Sequence, residues 1–199
     1  MSREDAPRPP GRPRSESCRV RVIEAAADLL EELPYPAVTI EGIAERAGVS
    51  KQTIYKWWRG RATLCMEAYA ERAGQQFTEP AEGPMHDRLV ALLAETCRVL
   101  SKDNNGAIVA GFIGEAQADP ELAAELRDVF IASRRKAVIA TLTRGIEDGE
   151  LRAGLDIPLA IDLLYGPIWY RLLLRHAPLD DAFARQVVDH LWPALRRVG

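Results

Sequence analysis

Residues 39–64, TIEGIAERAGVSKQTIYKWWRGRATL, hold two short runs of helical periodicity separated by Gly-Val-Ser. The runs predict helices over 40–47 and 51–58. Ala44 is small enough for the two to cross closely, and Gly48 can take the left-handed conformation that ends the first without a steric penalty. Ile43, Val49 and Ile54 are placed to fill the core between the helices, and Ser50 suits the N-cap of the second. The exposed face of that second helix then carries Lys51, Gln52, Thr53, Tyr55, Lys56 and Trp57. These are the mechanical needs of a helix-turn-helix, whose second helix can enter the DNA major groove. A helix pair joined by a glycine turn is also common as an ordinary solvated part of a bundle, so charge has to weigh between the two.

From Arg46 to Arg61 there are five cations, Arg46, Lys51, Lys56, Arg59 and Arg61, and no acid. The whole chain has a formal net charge of -3. Upstream, Arg8, Arg12, Arg14, Arg19 and Arg21 face only Glu16. Two basic clusters in an acidic chain match a localised electrostatic footprint for a phosphate backbone.

Working outward, the first fifteen residues are rich in Pro, Arg and Ser, lack apolar periodicity and are expected to be disordered. Val22, Ile23, Ala26, Leu29, Leu30 and Leu33 make the stripe of a first helix that Pro34 ends. A longer helix is expected from about 62 to 77, and EPAEGP at 79–84 breaks the chain into a small N-terminal and a larger C-terminal part. Beyond it, Leu89, Leu93, Cys97 and Leu100 form one stripe, and Ile108, Val109, Phe112, Ile113 and Ala116 another. Asp119 and Pro120 start a helix running to about Thr143. DGELRAGLD is a loop. Residues 158–175 are apolar around nearly the whole circumference and need cover on more than one side, and Asp180 caps a last helix with a stripe from Phe183 to Leu195. With no convincing strand, the expected fold is all-α, about nine helices.

The same reading excludes other classes. Asp162, Arg171 and two prolines interrupt the most apolar run, which makes a membrane span a poor fit, and the N-terminal residues have no signal-peptide segment, so a cytoplasmic location is expected. Cys18, Cys65 and Cys97 suit neither a disulfide framework nor a zinc module, and read as small buried hydrophobes or, less simply, redox sensors. His86, His176 and His190 lack metal-ligand spacing, and neither a phosphate loop nor a nucleophile elbow is present. No enzyme activity, metal or cofactor is expected.

TIEGIAERAGVSKQTIYKWWRGRATL resembles the N-terminal signature of the tetracycline-repressor (TetR) regulators, and residues 149–180, GELRAGLDIPLAIDLLYGPIWYRLLLRHAPLD, look like the effector domain of one branch of that family. Beyond the disordered basic tail over 1–15, the resemblance implies a DNA-binding domain with connecting helix over 16–77 and a ligand-binding and dimerisation domain over 84–199. It implies a homodimer on a palindromic double-stranded operator, released by a small effector. By position, Thr39 would cap the motif's first helix and approach a phosphate, and Lys51, Gln52 and Thr53 would lie nearest the bases. Tyr55, Lys56 and Arg61 would meet phosphates, and Trp58 would pack beneath the recognition helix that Ser50 starts. Trp57 would either stack on a sugar or thymine methyl, or pack. Two departures stand out: Pro34 where the family commonly has Gly, and Gly42 inside the motif's first helix, at a cost of about 1 kcal/mol relative to Ala.

Arg12 and Arg14 in PPGRPR match a minor-groove hook, or else a merely solubilising end. Dimerisation is expected through the last two helices. Cys97, Phe112, Ile113 and Trp169 are candidate ligand-lining residues, and Gly106, Gly111 and Gly114 are expected to leave space beside them. The apolar supply suits a hydrophobic effector. The alternative is a dimer that binds DNA constitutively, with a fully packed second domain; a ligand-sized cavity separates the two.

Overall fold

In the computed structural model, which describes residues 13–73 and 83–197, the chain is all-α. The helices are α1 Pro13–Glu32, α2 Ile40–Ala47, α3 Lys51–Ile54, α4 Arg61–Ala73, α5 Met85–Ser101, α6 Asn105–Ala116, α7 Pro120–Glu125, α8 Ala132–Glu147, α9 Ile157–Leu174 and α10 Asp181–Leu195. A π-helical stretch, Leu126–Ile131, joins α7 to α8, so 120–147 is one helical rod and the described residues hold nine rods in all. No β-sheet forms among them. One isolated bridge, with Arg152 N–H on the Leu195 carbonyl and Arg197 N–H on that of Glu150, ties the α8–α9 loop to the end of α10.

Helix α1 begins at Pro13, where a missing N–H costs nothing, so the last three residues of the expected disordered tail, Arg14 among them, have helical backbone. Arg12, the rest of the tail, the last residues of the helix expected to reach about 77 and residues 79–82 of the break lie outside the described residues. Pro34 builds the exit from α1 as a 3₁₀ turn over Tyr35–Ala37, closed by Ala37 N–H on the Pro34 carbonyl at 2.8 Å. The Leu33 carbonyl accepts from Asn104 Nδ2 at 3.1 Å, an acceptor at the end of α1 satisfied from across the structure.

The N-terminal helices share a core of Val22, Ile43, Ile54 and Leu64, all 0% exposed. In the C-terminal part α10 lies along α5, and α9 packs across α5, α6 and α8. Asp119, Asp156 and Asp180 cap α7, α9 and α10 by accepting backbone N–H groups, as expected for Asp119 and Asp180. Helix α9 is long and apolar enough to match a bilayer, with a mean hydropathy of 1.3, but Ala160, Ile161, Leu164, Ile168 and Leu172 bury one face of it in the core. Its other face leaves Leu159, Leu163, Tyr170, Leu173 and Leu174 exposed.

Candidate nucleic-acid interface and effector pocket

Local capping assembles the helix-turn-helix as the residues dictate. Thr39 Oγ1 accepts from Gly42 N–H at 3.0 Å. Gly48 ends α2 at φ 65°, ψ 41°, with Val49 N–H reaching the Ala44 carbonyl at 3.0 Å. Ser50 Oγ accepts from Thr53 N–H at 3.2 Å and starts α3. Ile43 and Ile54 are fully buried between the helices and Ala44 is 5% exposed, which fixes α3 with Lys51, Gln52, Tyr55 and Lys56 on its outer side.

Helix α3 is shorter than expected, ending at Ile54 rather than 58. Lys56 and Trp57 N–H groups bond back to the carbonyls of Thr53 and Ile54, three residues earlier, which tightens the chain into turns. The tightening coincides with Trp58, 4% exposed, being drawn under α3, where its Nε1 donates to Glu67 on α4. Trp57 is half-buried and stands edge-on to Trp58 with centroids 5.7 Å apart, so packing accounts for much of its surface.

The charge picture changes in three dimensions. Arg46 makes a two-pronged pair with Glu32 at 2.7 and 2.6 Å, and Lys51 Nζ donates to Glu41 at 2.7 Å, holding the lysine charged and the Glu41 carboxyl below its ordinary range. Arg59 reaches Asp119 at 2.8 Å and Glu121 at 2.6 Å at the start of α7. Of the five cations, Lys56 alone makes no ion pair among the described residues.

Arg61, expected at a phosphate, instead turns inward. Its Nη1 donates to the carbonyls of Tyr35 at 2.7 Å and Val38 at 3.1 Å, and its Nη2 to the Glu115 carboxylate on α6. The guanidinium carbon sits 4.3 Å from the centroid of the Tyr35 ring, which also meets Phe112 edge-on at 5.1 Å. The Val38 carbonyl and the Tyr35 carbonyl, which also accepts the Val38 N–H at 3.2 Å, receive the fork, and the aromatic face completes its surroundings. Arg59 and Arg61 thus fasten the DNA-binding head to α6 and α7.

A partly open, mainly apolar cavity of about 280 Å³ lies between α5, α8 and α9, with Tyr69 of α4, Phe130 of the π-helical stretch and Trp169 in its wall. Trp169 is where it was expected. The other three lining candidates are corrected. Phe112 is 0% exposed within an aromatic cluster of Tyr35, Tyr69 and Phe130, behind the cavity rather than on it. Cys97 is also fully buried off the wall, and burial raises its thiol to about 11. Ile113 packs against the core elsewhere. The glycines of α6 do not leave space either: a Cβ at Gly111 would stand 2.2 Å from the Tyr35 ring, and one at Gly106 2.6 Å from the Leu100 carbonyl oxygen. Only Gly114 is open.

Sequence reasoning missed Tyr69, Arg134 and Tyr165 on the cavity wall. No periodicity signals the π-helical stretch, whose extra residue per turn sets the phase with which Phe130 and Arg134 meet the cavity.

Comparison with known proteins agrees with this architecture. The family model "Bacterial regulatory proteins, tetR family" matches residues 22–68, and "Tetracyclin repressor-like, C-terminal domain" matches 79–191. The HTH-type transcriptional regulator YdeS of Bacillus subtilis is 40% identical over 178 residues, 89% of each chain. The crystal structure of the TetR family transcription regulator SCO0332 superposes with a TM-score of 0.79 at 31% identity, covering 91% of this chain and 100% of that one. The transcriptional regulator FadR of Bacillus subtilis, solved in complex with stearoyl-CoA, shares the fold with a TM-score of 0.65 at 24% identity, over 87% of this chain and 96% of its own. By both halves of its sequence and by its fold, the chain belongs to the TetR family of DNA-binding transcriptional regulators, and not to an enzyme family.

Proposed function

We propose that the protein is a cytoplasmic homodimeric repressor that holds a palindromic operator with two copies of α3 and lets go when a small apolar effector enters the α5–α8–α9 cavity. The carrying observation is that α4 belongs to both sites. Its first residue, Arg61, is locked to Glu115, and eight residues on Tyr69 forms part of the cavity wall. A helix of this length is a rod of about 20 Å, so an occupant that displaces Tyr69 moves the head at the other end. The cavity itself speaks against a second domain that is packed solid and serves only to dimerise.

Within this reading Lys51, Gln52 and Thr53 meet base edges, and Thr39, Tyr55 and Lys56 meet phosphates, with Arg46 and Arg59 surrendered by their exposed carboxylates. Arg12 and Arg14 would follow the adjacent minor groove. The exposed apolar face of α9, with α10 beside it, meets a second copy and sets two α3 helices for half-sites roughly 34 Å or a multiple apart. Fluorescence anisotropy on operator fragments recovered by footprinting the protein's own genome tests this. Saturable binding at a two-fold-symmetric site, released by an apolar compound, is expected; binding indifferent to every compound that occupies the cavity would refute effector control.

A further inference from the structure

Two arginines reach the cavity from adjacent positions on α8, and their partners differ. Arg135 Nη1 donates to Asp162 at 3.1 Å, and both residues line the cavity, so their charges offset one another. Arg134 has no carboxylate within ion-pair distance among the described residues. Its Nη1 donates to the Phe130 carbonyl at 2.9 Å, and its guanidinium carbon stands 3.6 Å from the centroid of the Phe130 ring and 5.8 Å from that of Tyr69. Burial lowers its pKa, a measure of hydration lost and not replaced by an anion. Thr96 and Tyr165 add hydroxyls to the same wall, and burial raises the Tyr165 phenol, keeping it a proton donor.

On its other side Arg134 borders a second cleft with Glu67, Glu71 and Glu125. Glu67 is engaged by Arg19 and by the Trp58 indole, and neither Glu71 nor Glu125 pairs with Arg134. The mainly apolar cavity is therefore bordered by one net positive charge, that of Arg134, which no carboxylate of the described residues pairs. A wholly apolar occupant would leave that cation poorly solvated, whereas a carboxylate matches both its charge and its fork.

Resting on the effector cavity proposed above, we infer that the ligand is an amphipathic anion, a compact apolar body with one carboxylate head seated on Arg134. The cavity, about 280 Å³, lies just below the roughly 300–1,000 Å³ usual for ligand sites, which suits a medium-chain or single-ring acid.

Calorimetric titration with octanoate, 1-octanol and octylammonium, matched in apolar length, tests the inference. Octanoate should bind the native protein at least about tenfold more tightly than the other two. Arg134→Leu should bring octanoate to the affinity of 1-octanol while leaving 1-octanol unchanged, and Arg134→Lys should retain part of the preference. Equal affinities, a preference for octylammonium, binding of none of the three, or an octanoate preference that survives Arg134→Leu would each overturn it. Should Arg134→Leu not fold, as read by its thermal transition, the native octanoate-to-octanol ratio decides alone. Octanoate that binds through Arg134 but leaves operator binding unchanged would defeat the effector reading and leave this one standing.

Discussion

Replacing Arg61 by Met removes the fork that joins the head to the core while keeping most of the side chain's length. Three donated bonds go, two to the Tyr35 and Val38 carbonyls and one to the Glu115 carboxylate, together with the stacking on Tyr35. A hydrogen bond involving a charged group contributes about 1.5–3 kcal/mol net, and a partly exposed cation–π contact about 0.5–1 kcal/mol. These do not add in full, because the Glu115 side chain is 37% exposed and water re-solvates it once the partner is gone. A loss of about 2–3 kcal/mol is expected, which at about 2–4 °C per kcal/mol for a chain of this size lowers Tm by about 4–12 °C. Urea denaturation measures the loss directly, and a cycle with Glu115→Gln should show a coupling of about 1 kcal/mol. Salt dependence of operator binding separates this from a phosphate role. Each phosphate contact contributes a slope of about −0.9, so two lost contacts per dimer would flatten the line by about 1.8. Unchanged stability with a slope flattened by that amount would refute the inward assignment; lowered stability with an unchanged slope is expected.

Other perturbations follow from the same geometry. A Cβ at Gly48 would meet nothing within 4 Å, so Gly48→Ala carries only the strain of its positive φ, about 1–2 kcal/mol, readable in urea and as weakened operator binding. Lys51→Ala and Tyr55→Ala, at exposed positions, should change stability by under about 0.5 kcal/mol yet weaken operator binding about tenfold; unchanged affinity in a gel shift would remove α3 from the interface. Leu163→Glu, on the exposed face of α9, should give a folded monomer by sedimentation at micromolar concentration, and a persisting dimer would move the interface elsewhere.

What was legible in the chain was what acts over a few residues. Gly48 makes its turn, Ser50 and Thr39 accept the N–H groups three positions on, and Asp119 and Asp180 cap their helices, because capping is decided within one turn of backbone. The ion pairs of the basic stretch were illegible for the complementary reason. Its freedom from acids from Arg46 to Arg61 is a property of a window of sequence, while the acids that answer it stand 10 to 62 residues away, at Glu41, Glu32, Glu115, Asp119 and Glu121. The cavity wall was illegible for a related reason: the expected uniform helix from Pro120 conceals the π-helical stretch that sets the phase of Phe130 and Arg134.

These two omissions meet at one place. Asp119 both caps the rod 120–147 and pairs with Arg59, and the same rod carries Phe130 and Arg134 to the cavity. Under the proposed function, a phosphate that draws Arg59 away gives up only two exposed pairs, with Asp119 and Glu121, which costs little, whereas Arg61 stays locked to α6. DNA and effector would then act on the start and the middle of one helical rod. This predicts that Arg59→Ala, unlike Arg61→Met, leaves stability within about 0.5 kcal/mol of the native protein while weakening the effect of a bound ligand on operator affinity. An intact ligand response in Arg59→Ala would place the coupling in α4 alone.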